Sequence, residues 1–274
     1  MHSASYYLSK TPGLRKGLQW WTSYRIHSYK KREDERLFKN PKNLRNFEKK
    51  IYSQNGEDGI IAEIFDRIGT TNRFFVEFGF EDGQECNGRH LLENQGWSGL
   101  WIDGNVDSIA KARERFGNSS VNISHSFITK DNIKGLFQEH QVPKELDLLS
   151  IDIDGNDYWI WQALKDYKAR LVVIEYNASF PPPREYIMPY NQDHYFDGSN
   201  VFGASLTSLV KLAEELGYVL VSCDNQGVNA FFVREDLIDN HFPDAQQEAS
   251  YHYCAPKYRK LFFGHPPGRG PWRS

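Results

Sequence analysis

The stretch Phe74 to Asn87, FFVEFGFEDGQECN, constrains the fold more than any other part of the chain. It opens with an apolar run, Phe74-Phe75-Val76, followed by Glu77, Phe78 and Gly79. A short apolar run closed by glycine reads as a buried strand of a parallel sheet. Gly79 and Gly83 then bracket a loop that carries Glu81, Asp82 and Glu85. Glycine directly after a buried strand lets the backbone turn tightly and approach a ligand. Residues 87–95 read as a helix with Leu91 and Leu92 toward the core. Strand, glycine loop and helix make the ligand corner of an open α/β sheet, at the carboxyl ends of its strands. A second apolar strand, Gly99-Leu100-Trp101-Ile102, ends in Asp103. An acid at about this distance, some twenty residues on, accepts hydrogen bonds from ribose hydroxyls.

The loop chemistry narrows the nucleotide. A pyrophosphate binds an uncharged, glycine-rich loop at a helix N-terminus. Here Glu81, Asp82 and Glu85 crowd the loop and repel a diphosphate. S-adenosylmethionine, with a sulfonium, an ammonium, a ribose and no phosphate, suits it better. The plain alternative is a buried strand and turn with no ligand.

The 274 residues suffice for one large α/β domain or two small ones, and 39% hydrophobic with 25% charged residues indicates a soluble globular protein. No apolar run approaches the roughly eighteen residues of a membrane span. The first residues lack the uninterrupted apolar core of a signal peptide, so a cytoplasmic location is expected. Cys86, Cys223 and Cys254 are too scattered for a disulfide framework or a CxxC metal pair. Charge is uneven: residues 1–50 carry thirteen Lys+Arg against four Asp+Glu, while the remainder sums to −12. An acidic body excludes nucleic acid as substrate. The basic arm, with Leu14, Leu18, Trp21 and Ile26 on a loosely helical period, is expected to pack on the body or on a second subunit of a homo-oligomer. The alternative is peripheral contact with a membrane or another anionic surface.

Taken in order, three parts are expected: a basic appendage over 1–50, a domain over 51–240 and a tail over 241–274. Ser53-Gln54-Asn55-Gly56-Glu57-Asp58 leads into a helix to Ile68, with Ile60, Ile61, Ile64, Phe65 and Ile68 on one face. Ser53 or Asn55 caps it, or its start lies over the ligand. After Asp103 come a helix over 106–116 and a third strand over 121–128, whose end brings Asp131 toward an adenine, unless Asp131 only caps the next helix. A fourth strand, Leu146 to Ile153, is followed by a helix carrying Tyr158, Trp159, Trp161 and Leu164, and a fifth strand spans Arg170 to Tyr176. The proline-rich stretch between Ala178 and Ala204 is irregular, and a loop that long in a compact domain is usually functional. A helix over 205–216 precedes two strands joined by Asp224-Asn225-Gln226-Gly227, a hairpin turn. Alternating strand–helix units closed by an antiparallel hairpin give the expected fold class: a Rossmann-like class I methyltransferase fold, α/β, with a mostly parallel seven-stranded sheet and helices on both faces.

FFVEFGFEDGQECN, GWSGLWIDGN, LDLLSIDIDGNDYWIW and VVIEYN, in that order, resemble the FkbM-like branch of S-adenosylmethionine-dependent methyltransferases, in particular bacterial members associated with polysaccharide gene clusters. The resemblance covers about Tyr52 to Leu237. It implies cofactor binding by Glu77, Gly79 and Asp103, and a glycan or other small sugar-bearing acceptor. Typical members carry Asp-x-Gly-Ala where this chain has Glu77-Phe78-Gly79-Phe80. Gly83 and Asp131 complete the expected cofactor set.

A second acidic cluster ends the fourth and fifth strands: Asp152, Asp154, Glu175 and Asn177. Residues two apart on a strand share a face, so these four converge where the strands are neighbours. Three or four hard oxygen ligands suit Mg²⁺, which activates and orients a substrate hydroxyl. The arrangement resembles metal-dependent O-methyltransferases. The bland alternative has residues 154–157 capping the next helix and Asp152 as a supporting hydrogen-bonder. Without metal, Asp154, Glu175 or His194 is the expected general base. The leading expectation is O-methyl transfer to a glycan or sugar-bearing hydroxyl. Two alternatives stay open: a DxD nucleotide-sugar glycosyltransferase, and a methyltransferase-like scaffold without catalysis.

Overall fold

Seven strands line up in the order β3-β2-β1-β4-β5-β7-β6 in the computed structural model, which describes residues 39–245 and 248–257. They are β1 (Phe74–Phe78), β2 (Ser98–Asp103), β3 (Val121–His125), β4 (Leu148–Ile151), β5 (Leu171–Glu175), β6 (Tyr218–Cys223) and β7 (Asn229–Arg234). The first five are parallel, and β7 runs antiparallel between β5 and β6. The helices between them are α1 (Glu57–Ile68), α2 (Arg89–Gln95), α3 (Val106–Phe116), α4 (Ile133–Glu139), α5 (Asp157–Ala163) and α6 (Leu206–Leu216), with a short α7 (Ala249–His252) near the end. This is the expected Rossmann-like class I methyltransferase fold, hairpin included. The basic helix expected near Leu14 to Ile26 lies outside the described residues, as does the terminal HPPGRGPWRS.

Strand alternation sorts the core into two layers. Val76, Phe78, Leu149 and Ile151 point to the side packed by α4, α5 and α6, with Phe137, Trp161 and Leu209. Phe75, Trp101, Leu148 and Val173 point to the other side, against α1, α2 and α3, with Ile61, Leu92 and Phe116. The apolar face read for α1 is the one buried: Ile60, Ile61, Ile64 and Phe65. Trp161 and Leu164 of the α5 segment are buried in the core as well.

The packed body takes in residues on both sides of the 51–240 segment. Leu44 joins the α1 layer, and the buried Arg45 donates from Nε to the Cys223 carbonyl (3.2 Å) and from Nη2 to the His252 carbonyl. Tyr253, Cys254 and Ala255 are buried, and the Tyr253 hydroxyl donates to the Ala178 carbonyl at 2.6 Å. The reason is topological. Edge strand β6 needs cover, and these two flanking segments supply it.

The lead-in to α1 is built by carboxylates rather than by a simple cap. Gly56 occupies the N-cap position without a side-chain bond. Oδ2 of the buried Asp58 accepts from the backbone N–H groups of Ile51, Tyr52 and Ser53 and from the Ser53 hydroxyl, at 2.7–2.8 Å. Ser53 Oγ in turn accepts from Asp58 N at 3.1 Å, so Ser53 does cap the helix, and Asn55 does not. Asp58→Ala removes the shared acceptor of four donors. It is expected to cost about 2–4 kcal/mol of stability, read from the urea midpoint at unchanged slope.

Candidate active site

A cavity of about 690 Å³ opens at the carboxyl ends of β1, β2, β4 and β5. The chain leaves β1 toward β2 on one side, and β4 lies on the other, so the strand order reverses here. Loops diverge at such a switch point and leave a crevice for a ligand.

Gly79 sets the geometry. Its φ is +66°, and a Cβ on it would lie 1.7 Å from the Asp152 carbonyl oxygen, so only glycine fits where the β1 and β4 loops meet. Asp103 lies on the cavity wall at the end of β2. Oδ2 accepts from Glu81 N (3.1 Å) and Oδ1 from Asn105 N (2.7 Å), which fixes the carboxylate and leaves lone pairs for a diol.

Three other expected cofactor residues are elsewhere. Glu77 is buried on the α2 side of β1, where its carboxylate accepts from Asn87 N (2.7 Å), Gly88 N (2.9 Å) and Trp101 Nε1 (2.9 Å). It anchors the entry to α2 and does not line the cavity. Gly83, with φ +76°, is a packing glycine: a Cβ there would meet Phe116 at 2.8 Å. Asp131 is exposed and off the cavity wall, because β3 stops at His125 and the chain meets the cavity at Ser126, Phe127 and Ile128.

The second acidic cluster forms in part. One oxygen from each of Asp152, Asp154 and Glu175 lies within 4.8 Å of the others. Glu175 Oε2 is buried with no hydrogen-bond partner among the described residues. Asp154 has φ +54°, held by Asp157, whose carboxylate accepts from Ile153 N and Gly155 N at 2.9 Å. The turn-fixing role thus belongs to Asp157, and Asp154 is left for the cavity. Asn177 is not part of the cluster. Its side chain donates to the Asn200 and Phe202 carbonyls at 3.0 Å, which pins the long loop.

That loop has no regular element beyond a single bridge, Ile187 with Ala204, and it covers the cavity. His194 and Tyr195 line the mouth, and the Tyr195 ring lies 5.2 Å from that of Phe127. His194 Nε2 is 3.1 Å from the Asp154 carbonyl. A carbonyl only accepts, so Nε2 carries the proton and Nδ1 is the basic nitrogen. Asn156 clamps the loop through its side chain, donating to Asn191 O (2.8 Å) and accepting from Asn191 N (3.2 Å). Sequence reasoning missed Asn156, since its partner is thirty-five residues away.

Electrostatically the cavity is one-sided. Glu81, Asp103, Asp152, Asp154 and Glu175 line it, and no Lys or Arg does among the described residues. Burial, reinforced by mutual repulsion, pushes Asp152 and Glu175 well above the usual carboxylate range, and burial raises Asp154. Buried Asp157 is pushed up to about 6. A cation satisfies such a group. Three hard oxygens within 4.8 Å of one another fit a divalent ion, and the volume and the acid at the β2 end fit S-adenosylmethionine.

No family model matches the chain, and no curated protein matches it. Solved structures with a similar chain path include the plantazolicin methyltransferase BamL, in complex with a triazolic desmethylPZN analog and SAH: 16% identity, 65% of this chain, 62% of that one, TM-score 0.35. This chain therefore spans less than two thirds of that protein. The N-terminal domain of EvdMO1 with SAH bound gives 12% identity, 66% and 80% coverage and a TM-score of 0.40. An S-adenosylmethionine dependent methyltransferase from Mesorhizobium loti gives 12%, 64%, 95% and 0.42. Identities of this size leave no basis for carrying a residue across.

Raised carboxyl pKa values favour the protonated form in the folded state. The stability this supplies is full below about pH 4 and is lost as pH rises through about 6. Without added metal, the melting temperature is expected to fall between pH 5 and pH 8. Asp152→Asn, which removes the charge at the cluster centre, is expected to flatten that fall in a pH series of thermal melts.

Proposed function

We propose that the chain is an S-adenosylmethionine-dependent methyltransferase that methylates a hydroxyl of a glycan or sugar-bearing metabolite with the help of Mg²⁺. One observation carries this reading: a single cavity at the switch point has Asp103 at the β2 end and the Asp152–Asp154–Glu175 cluster at the β4–β5 end. The FkbM-like motifs support that branch of the family and, by analogy only, a glycan acceptor.

Asp103, pre-set by its two backbone donors, accepts from the ribose hydroxyls. Gly79, on the cavity wall without a side chain, leaves room there for the cofactor. The acidic wall favours the cationic methionine end. S-adenosylmethionine supplies the methyl group on a sulfonium, and Mg²⁺ supplies charge that lowers an acceptor hydroxyl's pKa. Asp152, Asp154 and Glu175 would hold the ion. His194, basic at Nδ1 and beside Asp154, then receives the acceptor proton. Tyr195 and Phe127 pack ring against ring at the mouth, where both remain exposed.

No observation favours the nucleotide-sugar reading. A diphosphate would face five carboxylates with no lining Lys or Arg among the described residues, and the placement of Asp103 would be unexplained. Calorimetric titration separates the classes: S-adenosylhomocysteine is expected to bind, and a UDP-sugar with Mg²⁺ is not. The reverse result overturns the proposal. Asp103→Ala is expected to weaken S-adenosylhomocysteine about tenfold or more. Asp154→Ala is expected to leave that affinity within about threefold and to abolish turnover. Binding without turnover in the unaltered protein would favour a scaffold.

A further inference from the structure

The loop before α1 is built at a cost that capping does not explain. Glu57 and Asp58 are 1% and 2% exposed, and desolvating two carboxylates costs more than a surface Ser or Asp cap needs. Asp58 folds residues 51–53 around itself, as above. Glu57 holds the tip: it accepts from Asn55 N (2.8 Å), Asn55 Nδ2 (3.2 Å) and Asn229 Nδ2 (3.0 Å). The result presents Gln54 and Asn55 on the cavity wall. Their amides bond one another, Asn55 Nδ2 to Gln54 Oε1 at 3.3 Å. Gln54 Nε2 and Asn55 Oδ1 have no partner among the described residues, which leaves one donor and one acceptor for a ligand.

The tip belongs to the β5 end of the cavity. Asn229, which bonds Glu57, lies opposite Glu175 in the β5–β7 register. Asp103 lies on β2, three strand spacings away across β1 and β4, or about 14 Å. A cofactor whose ribose sits at Asp103 leaves the tip to the second substrate. Beside the tip is Glu175, whose Oε2 is buried and unpartnered among the described residues. A phosphate or carboxylate here would meet carboxylates on the wall, and the cation at the tip, Lys50, bonds the Gln54 carbonyl at 3.1 Å and is already paired with Glu85 at 2.7 Å.

We propose that Gln54 and Asn55, beside Glu175, form a subsite for an uncharged polyhydroxylated group, a glycoside without phosphate or carboxylate. The free donor and acceptor of the amide pair read its hydroxyls. As an acceptor subsite it rests on the methyl-transfer reading above. Its binding of polyols does not.

The test is saturation-transfer NMR on the full chain with Mg²⁺ and S-adenosylhomocysteine. The probes are methyl glucoside, methyl mannoside and methyl galactoside, against glucose 1-phosphate and glucuronate. The neutral glycosides are expected to bind, with the charged sugars at least about fivefold weaker. The double variant Gln54→Ala, Asn55→Leu is expected to lose the glycoside signal about tenfold while S-adenosylhomocysteine affinity stays within about twofold. Charged sugars binding as well as neutral ones overturns the proposal, as does an undiminished glycoside signal in the variant. An equal loss of S-adenosylhomocysteine affinity also overturns it, by assigning the tip to the cofactor half. Glycoside binding with no response to S-adenosylhomocysteine would remove methyl transfer and keep the subsite. The opposite pattern would remove the subsite and keep methyl transfer.

Discussion

The carbonyl oxygen of Asp152 occupies the space that a side chain at residue 79 would need. This contact joins the loops after β1 and β4, and the rest of the site depends on it. With Gly79 in the left-handed region, the β1 loop turns away toward Asp103 and α2. The β4 loop turns the other way, through the positive φ of Asp154, toward Glu175 and the long loop. The cavity is the space between the two paths. A methyl group at residue 79 would displace a backbone carbonyl that has nowhere to go, since β4 is held on both sides by β1 and β5.

The buried acids divide by what they touch. Glu77, Asp58, Asp147, Asp157 and Asp224 each accept several backbone N–H groups, and each fixes a turn or a loop. Backbone N–H groups partner them inside the fold, although Asp58 keeps one buried oxygen, Oδ1, without a partner among the described residues. Asp152, Asp154 and Glu175 accept no such set, repel one another, and face a cavity lined by further acids. The first group holds the walls, and the second is the one that faces the cavity.

Much of this was legible in the chain. The apolar runs, the glycine after β1 and the acids ending β2, β4 and β5 are local signals, and the fold, Gly79, Asp103 and the convergence of Asp152, Asp154 and Glu175 followed from them. The failures have physical causes. Glu77 shares a strand face with Phe75, and the period of two, applied there, would have put it under α2 instead of in the cavity. Gly83 answers to Phe116, a contact no spacing reveals. Asp131 falls outside because β3 ends early, and Asn177 is captured by carbonyls more than twenty residues on. The segments flanking 51–240 carry weak periodicity, yet they cover β6 and so belong to the body.

The central claim is that one cavity is divided, with the nucleoside at the β2 end and the cation at the β4–β5 end. Crystals grown with S-adenosylhomocysteine and Mn²⁺, measured at the manganese absorption edge, test it most directly. The account predicts an anomalous peak among Asp152, Asp154 and Glu175 and ribose hydroxyls on Asp103. A nucleoside lying over Glu175, or manganese bound on the 81–85 loop with the cluster empty, would contradict it.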